Sequence, residues 1–189
     1  MPSLTLRTRV CVVIHHRELR RRSNTGLLAV RALVNSEIRV RGEDKRPLDL
    51  ADLLAPLYRT VLLYPSAEAV ELDAAWVARE NKPVQLIVPD GTWRQARKVQ
   101  SRHPELKDVL RVKISAPDRA IFQLRAQSKP ERMATLQAIG RALGLIEGAH
   151  VEAQLMKLYQ TKIERTLRAR GMPPETLQGC IAERFEGPA

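Results

Sequence analysis

The chain is poor in cysteine, in long apolar runs and in glycine-rich nucleotide fingerprints, and each shortage removes a class of function. Its 189 residues include two cysteines, Cys11 and Cys180, far apart and with no neighbouring Cys or His. That excludes a four-ligand zinc site and a disulfide scaffold, so no metal is expected. The longest early apolar run, Val10 to Ile14, is too short for a signal peptide or a membrane span, which places the expected location in the cytoplasm. No G-x-G-x-x-G follows a strand, which argues against a Rossmann-type dinucleotide or methyl-donor site; the absence of a Walker A sequence argues against NTP hydrolysis, and H-E-x-x-H is missing too. No internal repeat or low-complexity segment is present. Acid is also in deficit, with 21 Asp plus Glu against 32 Lys plus Arg, a formal net charge of +11. That excess points to a polyanionic partner, nucleic acid first, because each phosphate a protein neutralises releases condensed counterions.

What is there fits one domain with a real core: 44% hydrophobic and 28% charged residues, ordinary for a globular protein. Residues 1–171 are expected to form that domain and 172–189 a C-terminal tail. Arg9 to Ile14 is a continuous β-branched run, the mark of a strand buried on both faces. His15-His16 follows, more naturally a loop feature than a ligand pair, and then the cations Arg17, Arg20, Arg21 and Arg22. Ser23-Asn-Thr-Gly26 carries N-cap chemistry for a helix from about Leu27 to Val34. Residues 36–47 read as a short exposed strand and loop, and Leu48 to Leu57 as a short helix or turn. Arg59 to Tyr64 is a second buried strand. After Ser66 a helix is expected to reach Glu80, with Val70, Ala74 and Val77 as its core stripe and Trp76 in the core or an interface. Pro83 to Val88 is the third strand, Thr92 to His103 a helix, and Val109 to Ile114 a fourth strand. Residues 116–130 read as a long loop with room for a short strand at Ile121 to Leu124. Helices Glu131 to Leu143 and Ala149 to Arg170 close the domain.

Strands alternating with helices predict an α/β fold with a mostly parallel sheet flanked by helices. Such sheets bind ligands beyond the carboxyl ends of their strands. Those ends are Ser23 to Gly26, Tyr64-Pro65-Ser66 and Asp90 to Trp93. In the helix from Thr92, the 100° advance per residue puts Trp93, Ala96 and Val99 on one face and Arg94, Arg97, Lys98 and Arg102 on the other. Four cations with no acidic neighbour, in so basic a chain, favour a phosphate-tracking face over a merely solvated one. Asp90 has two readings that spacing leaves open: a carboxylate capping the helix N-terminus, or a general base with Gly91 allowing close backbone approach to a ligand.

Asp90-Gly-Thr-Trp93 followed by Arg94-Gln-Ala-Arg-Lys98 resembles the signature of the DTW-domain family, the tRNA-uridine aminocarboxypropyltransferases. Three further blocks agree in order: Ser23-Asn-Thr-Gly26, Leu62-Leu-Tyr-Pro-Ser66, and Thr135-Leu-Gln-Ala138 with Leu145-Ile-Glu-Gly148 behind it. The resemblance covers roughly residues 9 to 170. It implies a single SPOUT-like domain whose chain is threaded into a trefoil knot around the cofactor site; general topology rules disfavour knots, so the knot enters from the resemblance alone. It implies S-adenosylmethionine as donor of its 3-amino-3-carboxypropyl group, a tRNA uridine N3 as acceptor, and 5′-methylthioadenosine as by-product. By similarity Asp90 is the base. Trp93 and Ala96 line the methionyl and adenine pocket, Leu63 and Pro65 lie against the adenine, and Thr25 and Thr92 complete the cofactor contacts. Arg20, Arg21, Arg22 and the cation face of Arg94, Arg97, Lys98 and Arg102 meet tRNA. The family also looks able to work as a monomer. Two departures stand out: the cysteine-rich segment that many members carry before strand one is not seen here, which leaves substrate choice open, and Gln137 stands where members often have Glu. The alternatives are a SPOUT-type RNA methyltransferase and a non-catalytic RNA-binding or ribosome-assembly module.

Overall fold

A computed structural model describes residues 1–43, 48–114 and 133–171. In chain order its elements are β1 (Arg9–His15), α1 (Gly26–Ala32), β2 (Ser36–Arg41), β3 (Arg59–Leu63), β4 (Val70–Glu71), α2 (Ala74–Ala78), β5 (Val84–Asp90), α3 (Trp93–Arg102), β6 (Leu110–Lys113), α4 (Thr135–Glu147) and α5 (Ala149–Arg168). The six strands form one sheet in the order β2-β1-β5-β3-β6-β4. Every pairing is parallel. The fold expectation therefore holds in its coarse form, an α/β protein with a parallel sheet flanked by helices.

A parallel strand covered on both faces needs apolar side chains at successive positions, and Val10 to Ile14 are all fully buried. Alternation then sorts them. Val10 and Val12, with Val61, Leu63, Leu86 and Val88, pack under α1, α2, α4 and α5. Cys11 and Val13, with Leu62 and Ile87, pack on the opposite face under Val99 of α3 and the turn residues Leu50, Leu53 and Leu106. Burial in this second cluster pushes the Cys11 thiol up to about 12.

The predicted helix from Ser66 to Glu80 is corrected. Val70 pairs with Val112 on the sheet edge and is 37% exposed, while Leu72 and Trp76 are the buried residues. The helix is confined to Ala74–Ala78 because the Asp73 carboxylate accepts the Trp76 N–H at 2.6 Å and starts it there. The spacing of Val70, Ala74 and Val77 matched a helical period, yet Val70 and Ala74 are exposed. Trp76 is core: the Arg59 guanidinium stacks 3.3 Å from its ring centroid and donates to its carbonyl at 2.8 Å, a cation–π arrangement. The helix expected over 131–143 runs instead from Thr135 to Glu147. The segment 36–47, expected to be exposed, contributes a half-buried edge strand that ends in a buried arginine, Arg41. The strand suggested at 121–124 and the tail 172–189 lie outside the described residues. No helix among the described residues is long and apolar enough to cross a membrane.

Candidate active site

Because β1, β5 and β3 are neighbours, their carboxyl ends bring the three predicted loops to one edge of the sheet. Asp90 is the last residue of β5, opposite Ile14 in the β1 register, and only 6% exposed. A buried carboxylate must find donors. Asn24 Nδ2 donates to its Oδ2 at 2.5 Å and Thr135 Oγ1 to its Oδ1 at 2.5 Å. The donors come from the loop after β1 and from the first residue of α4, so one carboxylate ties together segments about 45 and 66 positions away. Thr25 adds a second tie, its Oγ1 accepting the Leu136 N–H at 3.2 Å. Gly26 is required by this closeness: a Cβ there would stand 2.8 Å from Asp90 Oδ2.

The two readings of Asp90 are now separable. α3 is capped by Thr92, whose Oγ1 accepts the Gln95 N–H at 3.3 Å while Gln95 Oε1 accepts the Thr92 N–H at 2.7 Å, a full capping box. Asp90 is not the cap. Thr92 itself is exposed and spends its hydroxyl on the helix. In the quartet Ser23 to Gly26, Thr25 holds the N-cap position of α1 without a side-chain cap bond, and Asn24 Oδ1 accepts the Leu27 N–H at 3.0 Å instead. Asn24 thus serves the helix with its carbonyl and the carboxylate with its amide.

A cleft of about 360 Å³ opens beside α3, lined by Leu62, Tyr64, Pro65, Ser66, Ala96 and Arg97 among others. The Trp93 ring leans against Tyr64 with centroids 6.0 Å apart. Pro65 and Ala96 therefore line one cleft, with Trp93 against its Tyr64. Leu63 does not join them: alternation turns it to the α4 and α5 core and leaves its neighbour Leu62 to line the cleft. Asp90, Asn24, Thr25 and Thr135 form a separate group on the α1 side, where Gly26 meets both Asp90 and Val12. Gly91, Thr92 and Trp93 are the chain between the two groups.

The expected cations divide as well. Arg20 and Arg22 are exposed, and Arg21 pairs with the buried Glu18 at 3.2 Å. Arg94, Arg97 and Arg102 are exposed on α3 with Lys98 half-buried beside them. Sequence reasoning missed three residues. Asn24 and Thr135 lay within noted blocks without a role, and a hydrogen-bond partner across such separations has no local signature. Arg41 is 3% exposed, donating from Nη2 to the Gln95 carbonyl oxygen.

Residues 1–167 match the family model of the DTW domain. The chain belongs to the DTW domain family. It is 32% identical over 89 residues to tRNA-uridine aminocarboxypropyltransferase 2 of Drosophila melanogaster, covering 47% of this chain and 35% of that protein. It is 26% identical over 102 residues to the protein of the same name from Macaca fascicularis, covering 53% of this chain and 34% of that one. The aligned regions thus span about a third of the length of these curated relatives. No solved structure matches the chain.

Proposed function

We propose that this DTW domain transfers the 3-amino-3-carboxypropyl group of S-adenosylmethionine to N3 of a tRNA uridine, releasing 5′-methylthioadenosine. The observation that carries the reading is Asp90, the carboxylate of the family motif, buried at a strand end and held at both oxygens by Asn24 and Thr135. The names of the relatives support the reaction class and the tRNA substrate.

The residues present fit the donor. The cleft is within the range of small-molecule pockets, roughly 300–1,000 Å³. Pro65, Ala96 and Leu62 give the cleft an apolar lining suited to an adenine, and Ser66, Gln100 and Arg111 offer polar contacts. Trp93, whose ring leans on Tyr64 of the cleft lining, would border the methionyl chain in this reading. S-adenosylmethionine supplies a γ-carbon activated by the neighbouring sulfonium. The bond from uridine N3 to that carbon forms as the carbon–sulfur bond breaks, and its electron pair returns to sulfur to give a neutral thioether. The N3 proton has to leave, and Asp90 is the base that receives it. Choosing the γ-carbon over the methyl is a question of which carbon faces N3 within attack range. Arg20, Arg21, Arg22, Arg94, Arg97, Lys98 and Arg102 would hold the tRNA backbone. The SPOUT-like knotted threading belongs to the same reading; it is supported by α4 beginning at the strand ends and being tied to the loop after β1 through Thr135 and Leu136.

The test is nucleoside mass spectrometry of tRNA incubated with the protein and S-adenosylmethionine. A mass gain equal to the aminocarboxypropyl group is expected. A methyl gain, or S-adenosylhomocysteine as by-product, overturns the reading in favour of a methyltransferase.

A further inference from the structure

Arg41 poses a problem that the proposed reaction does not use. It ends β2, directly opposite His15 in the β1 register, and its residue is 3% exposed. A buried guanidinium is strongly unfavourable unless paired and fully hydrogen-bonded. Among the described residues Arg41 has no carboxylate partner. It donates to one backbone carbonyl, that of Gln95, and its Nε is buried with no partner. Burial and then the Arg102 guanidinium hold its pKa below the usual arginine value. The groups that act on it and on the adjoining His15 are basic apart from Glu18, which opposes the cations at His15. His15 is held below the usual histidine range by burial, then by Arg41, His16 and Arg17. The His16 ring lies 4.6 Å from the His15 ring, and its Nδ1 is a second buried nitrogen without a partner.

Position on α3 separates this cluster from the cleft. Gln95, Lys98 and Arg102 share one flank at i, i+3 and i+7, whereas Ala96, Arg97 and Gln100 line the cleft on the other. The Arg41 flank is continuous with the cation face of the helix.

We propose that Arg41, with His15, His16 and Arg102, forms a subsite for one backbone phosphate of the RNA substrate. Arg41 is its buried cationic floor and Arg102 and the two imidazoles are its rim. A phosphate supplies the negative charge and the acceptor oxygens that the guanidinium lacks, and oxyanion–arginine pairs are strong where water is excluded. A carboxylate would satisfy the same chemistry. RNA is favoured because this flank, with Lys98 and Arg102 on it, runs into a further cation, Arg94, in a chain of net charge +11. The inference rests on the tRNA reading above.

The experiment is tRNA binding measured over a salt series for the unaltered protein, Arg41→Met and Arg41→Lys. Removing one phosphate contact lowers the slope of log K against log salt by roughly 0.7 to 0.9. Arg41→Met is expected to lose that slope and about three- to tenfold in affinity at low salt. Arg41→Lys is expected to keep the slope. Affinity for S-adenosylmethionine should be unchanged in both variants. In the unaltered protein, the Arg41 Nε–H NMR resonance should shift when a short RNA oligonucleotide is added and stay in place with S-adenosylmethionine alone. This measurement decides the matter even if Arg41→Met does not fold. A folded Arg41→Met with the original slope, a resonance that stays put as RNA saturates the protein, or a resonance that moves with S-adenosylmethionine alone would each overturn the site. If the unaltered protein binds no tRNA, the tRNA reading fails and the site with it. Binding that Arg41→Met leaves intact counts against the site alone.

Discussion

Asp90 and Arg41 are both buried ionisable side chains at the carboxyl edge of the sheet, on strands separated only by β1. The fold treats them differently. Asp90 receives an amide and a hydroxyl, one to each oxygen; among the described residues Arg41 is given one carbonyl oxygen and its Nε is orphaned. A buried polar group that the chain completes is positioned before any ligand arrives, and its cost is already offset within the fold. A buried cation left incomplete raises its own penalty until something outside the chain completes it. On this view Asp90 is preorganised machinery and Arg41 is half of a contact.

The largest effect should come from removing the carboxylate. Asp90→Ala is expected to lower the rate of 5′-methylthioadenosine release by about a hundredfold or more, the usual worth of a positioned general base. Affinity for S-adenosylmethionine, measured by calorimetry, should persist because Asp90 does not line the cleft. Full activity in a folded Asp90→Ala protein would remove the base assignment and leave Asp90 as a structural tie. Next is Gly26→Ala. The added methyl would meet Asp90 Oδ2 at 2.8 Å and Val12 Cγ1 at 3.2 Å, both in packed surroundings. A stability loss of about 1–3 kcal/mol is expected by denaturant titration, together with a fall in rate as the carboxylate is displaced.

These two positions also show what the amino-acid sequence could and could not convey. The β-branched run Val10 to Ile14 and the apolar stretch before Asp90 announced central parallel strands, since burial on both faces demands such runs. The site loops were legible because strand ends in such sheets gather at one edge. The helix expected over 66–80 failed because Val70, Ala74 and Val77 matched a helical period by coincidence, while Asp73 supplied the real start signal. Leu63 and Leu62 traded places because a one-residue step on a strand reverses the face. Asn24 and Thr135 were invisible as carboxylate donors, since neither spacing nor composition encodes a hydrogen bond between residues 66 or 45 positions apart. Arg41 was read as part of an exposed charged stretch; its burial follows from the register of β2 against β1.

A smaller effect tests whether Asp90 is as complete as its geometry implies. Thr135→Val keeps the shape of the side chain and removes the donor to Oδ1. About 1–3 kcal/mol of stability should be lost, the cost of a buried acceptor left unpaired. Thr135→Ser should restore most of it, because the hydroxyl returns. If Thr135→Val melts with the unaltered protein, the hydroxyl contributes nothing to holding the carboxylate, and the contrast with Arg41 weakens accordingly.

The smallest effect concerns His15, which stands beside Arg41 with His16, Arg17 and Glu18 around it. Its pKa in the folded protein lies below the ordinary histidine value, burial being the first cause and Arg41 the second. As pH falls through the ordinary histidine range, the unfolded chain therefore takes up a proton that the folded protein refuses. Stability contributed by the neutral imidazole is present above that range and declines as pH falls through it, levelling off below the folded pKa. Replacing Arg41 by Met removes one of the cations that oppose His15 protonation. The decline should then be shallower in Arg41→Met than in the unaltered protein when melting temperature is followed across this window. A bound phosphate acts in the same direction, since an anion beside the imidazole favours its charged form. Binding of tRNA should accordingly tighten as pH falls through the range, by more in the unaltered protein than in His15→Gln. Equal pH dependence in the two would mean that His15 does not border the phosphate, and the rim would have to be drawn from His16 and Arg102.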